Sequence, residues 1–137
     1  MVTFVLDASA VLRFIDHEAG AERVSETFQA ALAGRAQVVM SSIHYGEVIG
    51  VSHRRGGPSL VEAIASQLSE LAIKVVPVDL TRAARTAIIH VSRKIPFADS
   101  FAVELAQDSR EHLLITADFD FKPAERDIAI EFLPKKP

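Results

Sequence analysis

A chain of 137 residues, about half of them apolar and none of them cysteine, suits one compact domain over residues 1–137 and excludes disulfide scaffolds and thiolate chemistry. The formal net charge of -3 argues against a protein that merely coats nucleic acid, which would be basic overall. There is neither a basic-then-apolar leader nor an apolar run of the ~18 residues that a membrane span needs, so a soluble cytoplasmic protein is expected.

The first element is a short apolar run, Phe4-Val5-Leu6, that stops at one carboxylate, Asp7. Unbroken apolar runs of this kind are strands buried on both faces, and ligands in open α/β sheets gather beyond the carboxyl ends of such strands. Ala10, Val11, Phe14 and Ile15 then repeat at helical spacing, and Val24, Phe28 and Leu32 mark a second helix that Gly34 can stop. Val38-Val39-Met40 is a second strand. Ser41 or Ser42 can cap a third helix, to about Arg54, which carries Glu47 in its second turn. Gly56-Gly57-Pro58 breaks the pattern, and Leu60, Ile64, Leu68 and Leu71 resume it, which predicts an antiparallel helical hairpin. A third strand spans residues 73–78, with its proline suited to an edge or an end. A fifth helix is expected to point Ala84, Ile88 and Val91 inward. Pro96 opens a sixth, which buries Ala98, Phe101, Ala102 and Leu105 and holds Asp99 in its first turn. Residues 113–118 and 128–132 complete five strands, and the tail Pro134-Lys135-Lys136-Pro137 is expected to be loose. Strands alternating with helices predict a three-layer α/β/α sandwich around a parallel sheet of about five strands.

Four acids stand out in this layout. Asp7 follows the first strand, Asp118 follows the fourth, Asp99 heads the helix before that strand, and Glu47 can reach in from the third helix. If the first and fourth strands are neighbours, these carboxylates meet at one edge of the sheet. Hard divalent cations such as Mg²⁺ and Mn²⁺ take oxygen ligands of this kind and can activate water against a phosphodiester. Spacing alone leaves a second reading open, because an acid in a first helical turn is favoured by the helix dipole without any metal. Asp7 resists that reading better than Asp99 does, since an acid directly after a buried strand is costly to desolvate without a partner. Ser9 and Thr116 could orient a carboxylate or water, or merely cap turns, and Asp120 adds a further acid nearby.

Val5-Leu6-Asp7-Ala8-Ser9, the Glu47 helix, Pro96-Phe97-Ala98-Asp99 and Leu114-Ile115-Thr116-Ala117-Asp118-Phe119-Asp120-Phe121 resemble, in order, the four motifs of PIN-domain ribonucleases, nearest the VapC-like toxins of toxin–antitoxin pairs. The resemblance runs from residue 3 to about 132. It implies a PIN-like fold, Mg²⁺ or Mn²⁺ held at Asp7, Glu47, Asp99 and Asp118, and cleavage of RNA phosphodiester bonds. In that frame Ser9 and Thr116 match supporting hydroxyl positions, and Asp120 a less regular fifth acid. It further implies a homodimer and a cognate antitoxin protein. RNA approaching an acidic centre needs a basic rim, for which Arg54, Arg55, Arg93 and Lys94 are the candidates, ahead of Arg82 and Arg85. Phe14, Ile15, Val24, Phe28, Leu60, Ile64 and Leu68 are read mostly as core, with some of them expected to stay exposed as an apolar surface for a protein partner.

Competing classes leave weaker traces. A phosphoryl-receiver domain would use an acid after the third strand (Asp79), Thr116 and a lysine of the tail, but it would also pair two acids after the first strand, where Ala8 and Ser9 stand. An Asp-x-Asp phosphatase lacks its second acid at position 9 for the same reason. The chain has no His-Glu-x-x-His and no Gly-x-Ser-x-Gly. A non-catalytic PIN-like binding module remains, if the acids hold no metal.

Overall fold

The computed structural model describes residues 1–137. Five strands, β1 (Thr3–Leu6), β2 (Gln37–Ser41), β3 (Ile73–Val76), β4 (His112–Thr116) and β5 (Ala129–Phe132), form one sheet in the order β3-β2-β1-β4-β5. Every neighbouring pair is parallel, with Leu6 opposite Ile115 and Thr116 opposite Phe132 at the carboxyl ends. The five-stranded parallel sheet expected from the sequence is therefore present, and β1 lies at its centre beside β4.

The period-two alternation of the strands sorts the core into two halves. Phe4, Leu6, Val38, Met40 and Ile115 pack on one face beneath α1 (Ala8–Ile15), α2 (Ala21–Leu32) and α3 (Ser42–Ser69). Val5, Val39 and Leu114 pack on the other beneath α4 (Leu80–Arg93), α5 (Phe97–Ala106) and a 3₁₀ turn at Phe119–Ala124. That is the three-layer sandwich.

α3 is broken at Gly57, whose backbone (φ 67°, ψ -160°) lies in a region that essentially only glycine occupies. Tyr45 and Leu68 line the same apolar cavity, although an unbroken helix would set them about 34 Å apart at 1.5 Å per residue. The chain therefore doubles back at the break, as the Gly-Gly-Pro sequence predicts.

Three expectations are corrected. First, α4 turns its apolar stripe outward: Ile88 and Val91 are 66% and 76% exposed, and Ala84 is exposed as well. Its inner seam is Arg82, Thr86, Ile89 and Arg93, an equally good helical repeat that is mostly polar. Arg82 fixes that choice by bridging Glu104 of α5 (2.9 Å) and Asp108 just beyond it (2.7 Å), and Glu104 is itself buried. Second, Val24, Phe28, Ile64 and Leu68 belong to the core, and Phe14, Ile15 and Leu60 pack against it, so they offer little free apolar surface. Third, the tail is tied down. The Arg13 guanidinium donates to the carbonyls of Ala19 and Pro134, both at 2.7 Å, and Lys136 pairs with Glu18 at 2.7 Å.

Gly57→Ala should cost about 1–3 kcal/mol, because an added Cβ forces this backbone into strain although no atom stands within 4 Å of it. Urea unfolding checks this; an unchanged midpoint would mean that the break relaxes freely.

Candidate acid centre

The order β3-β2-β1-β4-β5 reverses direction between β1 and β4, and in open α/β sheets the crevice beyond the carboxyl ends at such a point is where ligands bind. Asp7 and Asp118 are the residues that leave those two strands toward the crevice. Asp7 caps α1, accepting the Ala10 N–H at 3.0 Å, so the strand-to-helix turn aims its carboxyl group by local structure alone. Asp118 likewise caps the 3₁₀ turn, accepting the Asp120 N–H at 2.8 Å. Asp99 occupies the first turn of α5.

Asp7 is only 2% exposed and is the most heavily solvated by protein groups. Thr116 Oγ1 donates to its Oδ2 at 2.7 Å, and the Ser9 hydroxyl reaches both of its oxygens at 2.8 and 3.0 Å. Ser9 Oγ also accepts the Ala117 N–H, and Thr116 Oγ1 accepts the Asp118 N–H. The two hydroxyls thus lock the Asp7 carboxylate and the backbone leading to Asp118 into one unit.

Asp99, Asp118 and Asp120 each bring a carboxylate oxygen within 4.8 Å of the other two. Asp120, which the sequence offers only as an auxiliary acid, thus belongs to the tightest group. The charges of Asp118, Asp7 and Glu47 all act on Asp99, in that order, so the four acids picked from the sequence share one neighbourhood. Glu47 stands at the mouth, about half exposed.

Burial, opposed by the hydrogen bonds from Thr116, Ala10 and Ser9, pushes the Asp7 carboxyl up to about 6 from an ordinary 3.8. Asp99 is held well above the usual carboxylate range by burial, by a hydrogen bond shared with Asp118 and by the neighbouring negative charges. Burial also raises Glu47. None of Asp7, Asp99, Asp118, Asp120 or Glu47 has a lysine or arginine within ion-pair distance; the single contact of that kind is His44 Nε2 to Glu47 Oε1 at 3.5 Å. Burial holds His44 neutral, near 4, opposed by a contact with the backbone of Ala98 that falls short of good hydrogen-bond geometry. The three-residue spacing of His44 and Glu47 puts both on one face of this helix, and the structure brings them into contact there.

This donor set fits a hard divalent cation: all ligand atoms on offer are carboxylate oxygens, they crowd together at a cost, and no cationic side chain relieves them. The basic residues expected at the rim divide. Arg93 is clamped to Asp127 at 2.6 and 2.9 Å, and Arg55 pairs with Asp16 at 2.8 Å. Arg54 and Lys94 are exposed without an ion pair. Arg82, and Arg85 more distantly, are engaged by Glu104. The receiver-domain reading fails on topology, because β3 lies at the sheet edge with β2 between it and β1, and Asp79 is spent capping α4.

Fold and site together define an α/β/α protein with a carboxylate centre at the switch point of its sheet. A family model for the PIN domain matches residues 4–126, and the chain belongs to the PIN-domain family, a family of nucleases. Its fold is also that of several solved toxin–antitoxin proteins. A VapBC2 complex from Rickettsia felis bound to a promoter DNA fragment superposes with a TM-score of 0.72 at 16% identity, covering 97% of this chain and 100% of that one. A DNA-bound VapBC from Salmonella typhimurium gives 0.69 at 23% identity, covering 96% and 98%. VapC20 from Mycobacterium tuberculosis, a toxin that cleaves the sarcin-ricin loop, gives 0.66 at 17% identity, covering 98% and 99%. No curated protein matches the chain in sequence. No helix is long and apolar enough to cross a membrane.

The raised acids fix the sign of a pH effect. Asp7 and Asp99 hold protons more tightly folded than unfolded, so without metal their contribution is most favourable below about pH 4 and is lost as pH rises through 6 and beyond. For Asp7 alone the loss is about 3 kcal/mol. In chelator, the wild-type melting temperature should fall relative to Asp99→Asn between pH 5 and pH 8. Parallel profiles for the two proteins would mean that Asp99 ionises without strain.

Proposed function

We propose that this chain is a divalent-metal-dependent endoribonuclease and the toxin of a toxin–antitoxin pair. The observation that carries the proposal is the convergence of Asp7, Glu47, Asp99 and Asp118, with Asp120, at the β1/β4 crevice of a PIN-domain chain without any balancing cation. Asp99, Asp118 and Asp120, with Asp7 behind them, would hold Mg²⁺ or Mn²⁺, and Glu47 stands at the border. The cation, when bound, supplies Lewis-acid stabilisation of phosphoryl charge and eases ionisation of water. Ser9 and Thr116 keep the Asp7 oxygens aimed, so that no rearrangement is required during the reaction. Glu47, half exposed and raised by burial, is suited to take a proton from the attacking water at the mouth.

The same proposal gives the chain its partners. Solved neighbours that are VapBC complexes support a cognate antitoxin. A second copy of this chain is supported by the apolar side chains that α4 leaves outside: Leu80, Ile88 and Val91, with Phe97 alongside at His90. The work of such an enzyme places it in the cytoplasm, with RNA.

Purified protein should cleave RNA with Mn²⁺ or Mg²⁺ and stop when EDTA is added; undiminished cleavage in excess EDTA sinks the proposal. Asp99→Asn should lower the rate on the order of 100-fold or more while the protein stays folded. Thr116→Val, which loses only the hydroxyl on Asp7, should cost about 10–100-fold in activity or metal affinity. Light scattering tests the pairing of copies: a monomer at micromolar concentration removes the homodimer, and Ile88→Glu should produce one.

A further inference from the structure

The residue after Asp118 is Phe119, and its surroundings are not those of a core side chain. It is partly exposed, and its ring lies flat against that of Phe132, with centroids 5.0 Å apart and planes 6° from parallel. Two ammonium groups converge on the same ring: Lys122 Nζ lies 5.5 Å from its centroid and Lys135 Nζ 5.1 Å. Neither lysine makes an ion pair, although the chain carries eighteen acids. Two like charges brought to one aromatic ring repel each other, and the ring holds each of them weakly. Together they make a place that an anion would complete.

The group is built, and it is built beside the acids. Phe132 pairs in register with Thr116, whose hydroxyl holds Asp7, so the stacked rings stand at the carboxyl end of the sheet. Lys135 is held there by its neighbours: Leu133 is buried and donates to the Thr116 carbonyl at 2.8 Å, Arg13 grips the Pro134 carbonyl, and Lys136 pairs with Glu18. Three successive anchors around one unpaired lysine fix its position without using its charge.

We propose that Phe119, backed by Phe132 and flanked by Lys122 and Lys135, is the platform on which single-stranded RNA lands beside the acid centre: a phosphate draws the two flexible ammonium groups off the ring, and an unpaired base stacks on the face they leave. Aromatic faces accept any base, and lysines follow the backbone, so the platform selects strand geometry ahead of sequence. It requires an unpaired base and therefore favours single strands over duplex. It rests on the ribonuclease proposal above and adds to it the residues of this chain that engage the strand. It also answers the electrostatic difficulty of the site, since Arg55 and Arg93 are already neutralised by Asp16 and Asp127.

The test uses a fluorescein-labelled oligoribonucleotide of mixed sequence, single-stranded or annealed to its complement, with the full-length Asp99→Asn protein as parent so that the probe survives. Anisotropy should show tighter binding of the single strand. Phe119→Ala should weaken that binding about tenfold and abolish the preference over duplex, and Phe119→Tyr should restore both. Lys122→Gln with Lys135→Gln should reduce the steepness of log affinity against log salt by about 0.7, one phosphate's worth for a single strand. In otherwise wild-type protein these variants should raise KM with kcat largely kept. If the parent binds RNA and the variants bind it equally well, with only their melting temperatures lowered, the rings and lysines are packing alone and the platform is overturned while the ribonuclease proposal stands. If the variants lose a co-purifying protein but not RNA, the surface belongs to that protein, and the platform is again overturned. If the parent binds no RNA and the wild type cleaves none, both proposals fall together.

Discussion

A carboxylate at the end of a central, fully buried strand is the constraint on which the rest of this structure turns. Asp7 has almost no contact with solvent, and an ionised group in that position is tolerable only if hydrogen bonds replace water. Three donors do so: the Ala10 N–H from the helix it caps, Ser9 from the same turn, and Thr116 from the neighbouring strand. The last crosses 109 positions of sequence, so the pairing of β1 with β4 and the solvation of Asp7 are one event. Even so, the carboxyl group keeps its proton more readily than a free one, because burial outweighs the three bonds.

The architecture around that point allocates charge unevenly. Arginines are spent on structure. Arg82 bridges Glu104 and Asp108, Arg93 clamps Asp127, Arg23 grips Glu131, and Arg13 is buried against two carbonyls. Arginine suits these positions because its planar fork meets a carboxylate with two parallel bonds. The acids at the sheet's carboxyl end receive none of them. That asymmetry separates the unbalanced acid cluster from the ion pairs that hold helices together, and it concentrates much of the charge of a chain of net charge -3 at one end of the sheet. The negative charge is concentrated in one centre that no arginine or lysine balances, and unpaired lysines stand next to it at Phe119.

Stability and site are consequently opposed at this end of the molecule. Crowding Asp99 against Asp118 and Asp120 costs the metal-free protein free energy that a set of neutral side chains would not. The cost is tolerated because the two halves of the core, beneath α1–α3 and beneath α4–α5, close over the opposite parts of the sheet without depending on the acids. His44, buried with both ring nitrogens unpartnered beside Glu47, belongs to the same strained region.

The fold was legible in the sequence wherever the signal was local. Five apolar runs gave five strands, Ser41 caps α3 as a serine at that place predicts, and Gly57 breaks α3 where a Gly-Gly-Pro run says it should. The positions of Asp7, Glu47, Asp99 and Asp118 relative to those elements were also legible, because each sits at or near an element's end. What the sequence could not decide was any choice between two equally periodic faces or between partners far apart in the chain. α4 carries an apolar stripe through Ile88 and a polar one through Arg82, and only the presence of buried Glu104 on α5 selects the polar stripe for the interior. The same blindness hid the closeness of Asp120 to Asp99, the pairing of Arg93 with Asp127, and the anchoring of a tail that composition alone marks as loose. Periodicity reports that a face exists; which neighbour meets it is fixed by strand order and packing, and those are properties of the assembled sheet.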